Sequence, residues 1–156
     1  MVAKKSFSEK MICKNRKAWH DYSIDEKYEA GIVLKGSEIK SCRLGKVSLK
    51  DSYAKIKNGG LFLINTHISP YEHANQFNHD PLRERKLLLH KVEIKRLIGK
   101  INERGMTLIP LSMYLKNGKA KVELGLARGK KLYDKRESIK KETEKRDLER
   151  SLRFNK

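Results

Sequence analysis

Four histidines sit in the middle of the chain, His67, His73, His79 and His90, with Glu72 and Asp80 among them. Imidazoles and carboxylates are the ligands that would hold a hydrolytic metal, so a metal-dependent nuclease would have to be built here. The histidine spacings of six, six and eleven place no two imidazoles on one helical face, and no carboxylate pair brackets them. Hydrogen-bonded structural histidines, or histidines facing RNA, are the plainer reading. The chain has no phosphate-cradling glycine loop and no nucleophile elbow. Cys13 and Cys42 lack zinc-type spacing and read as free thiols. No catalysis, cofactor or metal is expected.

What remains suits backbone contact and base stacking. Arg16, Lys17 and His20 surround Trp19 and Tyr22, and Lys130 and Lys131 precede Tyr133; cations beside rings neutralise phosphate where a base can stack. Trp19 could equally be a core or rim residue, whereas Tyr22 reads as core. Arg83, Arg85, Lys86 and Lys91 cluster around the apolar Leu87 to Leu89.

Charge points the same way. The 156 residues hold 37 Lys and Arg against 19 Asp and Glu, a net +18. The first 17 residues carry a net +5, residues 128–156 a net +6, and the 110 between them +7. Such a chain repels itself unless a polyanion releases its counterions on binding, so RNA or DNA is the natural complement. A merely basic surface without a ligand is the bland alternative. A membrane surface fits less well, because no basic helix has a broad apolar face. No stretch reaches the roughly 18 apolar residues of a spanning helix and the start lacks the apolar middle of a signal peptide. A soluble cytoplasmic protein is expected.

The elements that must position these side chains follow from periodicity. Residues 1–10 read as a disordered basic start, 11–128 as one folded unit, and 129–156 as a basic tail. Tyr22 to Leu34 alternates at a spacing near two, one long strand or two broken around Asp25 to Lys27, with Gly31 marking a bulge or a close backbone approach. Ser37 to Leu44 reads as a short helix ended by Gly45. Asn58-Gly59-Gly60 joins two strand-like runs, Val47 to Ile56 and Leu61 to Ile68, in a hairpin. Residues 69–79 form a polar surface loop. Asp80-Pro81 offers a helix start, and the stripe from Leu82 to Ile101 predicts a helix to Arg104, with a second possible start at His90. Asn117-Gly118 marks another hairpin between residues 106–115 and 119–127. About six strands and two or three helices are solved economically by an OB-like antiparallel barrel, mainly β with flanking helices. In the tail, Glu137 and Lys141, Glu142 and Arg146, and Glu149 and Arg153 are acid-first pairs four apart, which favour a helix. Ile139, Leu148, Leu152 and Phe154 make too narrow a face to dock it. The tail is therefore expected to be disordered alone and helical on an anionic partner.

The strings NRKAWHDY, YEAGIVLKGSEIKSCR, DSY, HDPLRERKLLLHK and GLARGKKLYDKR, in this order, resemble the small protein B (SmpB) family, which binds transfer-messenger RNA (tmRNA) in bacterial ribosome rescue. The likeness runs from about Asn15 to Arg150. It implies an OB-type barrel with flanking helices and a monomer that binds the tRNA-like domain of tmRNA. It further implies delivery of the alanyl-charged RNA, together with elongation factor Tu, to stalled ribosomes. By motif, Glu29, Leu88 and His90 would meet the RNA elbow. Gly129, Lys130, Lys131, Tyr133, Asp134, Lys135 and Arg136 would engage the decoding centre, and the segment beyond would become helical in the empty mRNA channel. Two departures stand out: Tyr133 where many relatives have His, and Cys42 where leucine is more usual. The alternative is another ribosome-associated OB-fold protein, such as a ribosomal protein or initiation factor.

Overall fold

Two Asn-Gly pairs set the frame. Asn58-Gly59 has φ of 49° and 75°, and Asn117-Gly118 has 55° and 75°; two successive left-handed residues match the twist of a tight hairpin, and only Asn, Asp and Gly adopt them cheaply. The structure is a computed structural model and describes residues 9–130 and 132–154. Of the start expected to be disordered, residues 1–8 lie outside the described residues, as does Lys131; Glu9 and Lys10 are not disordered but open a strand, paired with Lys116 and Leu115.

The elements in chain order are β1 (Glu9–Lys14), α1 (Arg16–Asp21), β2 (Tyr22–Ile32), α2 (Gly36–Arg43), β3 (Val47–Ser48), β4 (Tyr53–Lys57), β5 (Gly60–Ile64), β6 (His67–Ile68), a 3-10 segment (Glu72–Phe77), β7 (Arg85–Leu88), α3 (Lys91–Arg104), β8 (Thr107–Lys116), β9 (Lys119–Gly129) and α4 (Leu132–Phe154). Antiparallel pairings β4–β5, β5–β7, β7–β2, β2–β9, β9–β8 and β8–β4 return to their start. The result is a six-stranded OB-like ring, which leaves few free edges. β1 pairs with the far half of β8, and β3 with β6. Inside lie Leu61, Leu63, Leu87, Met113, Val122, Leu124 and Leu126, all essentially inaccessible. Leu97 of α3 packs into this cluster, and a smaller cluster of Ala18, Ile109, Leu111 and Ala127 lies beneath α1.

Several expectations change. No helix begins at Asp80: its carboxylate accepts the Leu82 N–H at 3.0 Å in a local turn, residues 85–88 form β7, and α3 starts after His90. The run Leu87-Leu88-Leu89 satisfies either period, and the ladder with β5 and β2 decides for the strand. Val47 and Leu49 do not belong to the hairpin; Val47 pairs with Ile68. The long strand is continuous with its register shift between Ile24 and Glu26, so Gly31 is not the bulge. A Cβ at Gly31 would stand 3.3 Å from the Leu88 Cβ, which is the close approach. β1 and α1 went unread because neither is long enough to show a period.

Candidate RNA interface

On β7 the side chains alternate: Arg85 and Leu87 point inward, Lys86 and Leu88 outward. Leu88 stands opposite Gly31 of β2, and Glu29 lies two residues along that strand, on the same outer face. The β7 to α3 turn then presents His90 and Lys91, both exposed. The structure thus gathers Glu29, Lys86, Leu88, His90 and Lys91 along one side of the ring. Leu88 is 52% exposed, an apolar contact set among cations. Beside it lies a cavity of about 400 Å³ lined by Lys57, Phe62, Lys86, Leu88, Lys91 and Ile94. Phe62 and Lys57 were not legible as neighbours, because only the β5–β7 ladder brings Phe62 opposite Lys86.

Glu29 is held in place. Its carboxylate accepts from the Tyr114 hydroxyl and from Lys116 Nζ at 3.4 Å. The Tyr114 bond, with the charge of Lys116 behind it, keeps the Glu29 carboxyl below its ordinary range, against a smaller opposing effect of burial. Burial and the bond to Glu29 push the Tyr114 phenol upward. At neutral pH the site is therefore an oriented carboxylate with lone pairs left to accept hydrogen bonds. Neither Tyr114 nor Lys116 was foreseen; their meeting with Glu29 depends on β2 and β8 flanking β9.

Arg85 does not belong to this surface. It is fully buried; its Nε donates to Glu38, one terminal nitrogen to the Thr66 carbonyl at 2.7 Å and the other to the Pro81 carbonyl at 3.1 Å. Every guanidinium nitrogen is engaged inside the protein, so the expected RNA contact is withdrawn. Arg83 is intermediate: it donates to Glu38 at 2.5 Å while its side chain stays 28% exposed. Burial raises the Glu38 carboxyl, but Arg83, the Lys35 N–H and Arg85 together hold it below the ordinary range. His79 is likewise internal, with Nδ1 2.8 Å from Ser37 Oγ and Nε2 2.9 Å from the Ile68 carbonyl. Among the described residues, no three His, Cys, Asp or Glu side chains converge as metal ligands. Burial raises the Cys13 thiol to about 11 and the Cys42 thiol to about 12; both are free.

A second basic corner forms where α1 meets α4. Asn15 caps α1, accepting the Ala18 N–H at 3.3 Å, and anchors it by donating to the Pro110 carbonyl at 2.9 Å. Arg16 is exposed, and Lys17 pairs with Asp51 at 3.2 Å. Trp19 is 47% exposed with Lys27 Nζ 4.9 Å from its ring centre, a rim position rather than core. His20 Nδ1 lies 2.9 Å from Asp21 Oδ1. The Lys130 N–H donates to the Asp21 carbonyl at 2.8 Å, Lys130 Nζ to the Trp19 carbonyl at 3.1 Å, and Lys135 Nζ approaches the Asp21 carboxylate at 3.6 Å. The bond from His20, aided by Lys135, holds the Asp21 carboxyl below its ordinary range despite some burial. Arg16, Lys17 and His20 thus share one corner with Gly129, Lys130 and Lys135, while Arg136 is exposed on α4. The backbones of Tyr133 and Asp134 lie in α4. Beyond Ser138 the helix is exposed on every side, with Glu142 and Arg146 paired at 2.9 Å.

The SmpB protein family profile matches residues 12–154. The SsrA-binding protein of Carboxydothermus hydrogenoformans is 62% identical over 145 residues, covering 93% of this chain and 97% of its own. That of Acetivibrio thermocellus is 61% identical over 146 residues, covering 94% and 95%. A solved chain described under "tmRNA-SmpB: a journey to the center of the bacterial ribosome" is 55% identical, with a TM-score of 0.65 over 77% of this chain and 85% of that one. The matched span runs from β1 to the last turn of α4 and takes in the ring, the Glu29 face and the α1–α4 corner alike, so the chain belongs to the SmpB protein family.

Proposed function

We propose that this chain is an RNA-binding adaptor that binds the tRNA-like domain of tmRNA and brings it to stalled ribosomes for trans-translation. The observation that carries the reading is Glu29, a carboxylate fixed by Tyr114 and Lys116 beside exposed Leu88, with Lys86 and Lys91 on the adjoining strand and turn. A carboxylate repels phosphate but accepts hydrogen bonds from base amino groups or ribose hydroxyls, so it reads RNA shape where lysines alone supply affinity. Lys86, Lys91 and His90 flank it; Arg16, Lys17 and His20 hold phosphate at the second corner, with Arg83 adding its exposed part. The relatives are named for SsrA binding and the solved chain for its place in the bacterial ribosome, and both support this assignment.

The tail takes the second role. Gly129, Lys130, Lys131, Tyr133, Asp134, Lys135 and Arg136 engage the decoding centre, and the rest of α4 lies along ribosomal RNA in the mRNA channel. Helix and mRNA compete for that channel, so the tail settles only where mRNA is missing. The adaptor acts as a cytoplasmic monomer, accompanies elongation factor Tu on the charged RNA, and catalyses nothing itself.

The test separates the two roles. Glu29→Ala weakens binding of the isolated tRNA-like domain by about tenfold or more, the loss of one charge-assisted contact. Asp134→Ala with Lys135→Ala leaves that binding intact and stops peptide tagging on stalled ribosomes. Equal loss of RNA binding in both variants contradicts the division of labour.

A further inference from the structure

We propose that the polar groove between α1, the turn before β4 and the start of β8 receives one unpaired RNA base bearing an exocyclic amino group. The proposal deepens the RNA-binding reading above and rests on it. The groove holds about 260 Å³ and is lined by Lys17, Asp21, Tyr22, Asp51, Tyr53 and Thr107, among others. That volume is below the range usual for drug-sized ligands, roughly 300 to 1,000 Å³, and suits a single flat ring system. Tyr22 of β2 and Tyr53 of β4 bring aromatic surface to it, and Tyr53 is 37% exposed. A phenol ring open to solvent is a stacking platform for any base.

The polar lining narrows the ligand. Two carboxylates, Asp21 and Asp51, border the groove and supply hydrogen-bond acceptors there. Carboxylates accept hydrogen bonds from the amino groups of adenine, cytosine or guanine, whereas uracil offers carbonyl oxygens at the corresponding positions. Asp51 adopts φ of 59°, a conformation most side chains avoid but Asp tolerates. Its partner is Lys17 at 3.2 Å, in an ion pair more than half exposed on both sides; such a pair opens at little cost. Phosphates flanking the inserted base have the exposed Arg16 beside the groove, and Lys17 once its ion pair with Asp51 opens. The groove therefore offers a base two carboxylate acceptors beside phenol rings, with Lys17 and Arg16 next to them for the backbone.

The test uses the full chain and a ten-residue abasic ribose-phosphate strand carrying one central 2-aminopurine, with matched strands that carry uracil or no base. The 2-aminopurine strand should bind about tenfold more tightly than either control, with its fluorescence quenched by stacking. Tyr53→Ala should remove that advantage and leave binding of the wholly abasic strand unchanged. Tyr53→Leu, which keeps the bulk, should behave likewise. Asp51→Asn, which keeps the left-handed backbone, should reduce the preference over uracil. Equal binding of all three strands by the native chain overturns the proposal, as does an advantage that survives both Tyr53 variants. Affinity for the tRNA-like domain of tmRNA is measured on the same preparations. If it is strong while the base makes no difference, the groove assignment alone fails; if it is absent, the functional reading fails first.

Discussion

Glu38 ties three parts of the fold together. It is fully buried and accepts from Arg83, Arg85 and the Lys35 N–H, tying α2 to β7 and to the turn before it. A buried pair is costly to break because the survivor stays charged in a dry site. Glu38→Gln should therefore destabilise by about 3 to 5 kcal/mol, read as a fall in the denaturant midpoint at unchanged slope. Its pH dependence has a defined sign. The folded carboxyl is held below its ordinary range, so its contribution is complete above about pH 4.3 and is lost as pH falls through and below that value. The advantage of the native chain over Glu38→Gln should shrink on acidification; an advantage that grows contradicts the assignment. The neighbouring cations on β7 divide in the same way. Lys86→Ala should leave stability within about 0.5 kcal/mol and flatten the salt dependence of RNA binding by about 0.7 to 0.9 in log-log slope. Arg85→Ala should lower stability by several kcal/mol. If Arg85→Ala folds normally and loses only RNA affinity, its burial is misassigned.

Elements differ sharply in how firmly they are held. The β8–β9 hairpin runs through the centre of the core, whereas α4 beyond Ser138 buries nothing. Hydrogen exchange should find amides of residues 108–126 protected to the level of global unfolding and those of residues 140–153 exchanging much faster. Salt should reduce helicity at 222 nm through screening of pairs such as Glu142 and Arg146. Slow exchange throughout α4 would contradict the expectation that the tail gains its stability from a partner. The same contrast explains what was legible. The hairpins were readable because Asn-Gly with flanking alternation needs no tertiary information, and the α3 stripe because its period repeats through Leu97 and Ile101. β7 was misread because four residues cannot distinguish period 2 from 3.6, and its neighbours on β5 and β2 made the choice. Glu29 was found by resemblance; its partners Tyr114 and Lys116, the burial of Arg85 and the meeting of α1 with the tail depend on ring closure, which no local pattern encodes.

At the scale of the whole molecule, the net charge is +18, and among the described residues the fully buried charged side chains are Glu38 and Arg85, which neutralise each other. The excess of cations over carboxylates therefore lies at the surface, and RNA association should depend strongly on salt. If about six phosphates are neutralised, log affinity should fall against log salt with a slope of about −4 to −5. A slope near zero would leave the charge unexplained. The most direct measurement is sequencing of the RNA that crosslinks to the full chain in cells, compared between the native protein and Glu29→Ala. The account predicts tmRNA as the dominant captured species, crosslinked through its tRNA-like domain and depleted in the variant. Capture of ribosomal RNA alone, equal in both proteins, would contradict it.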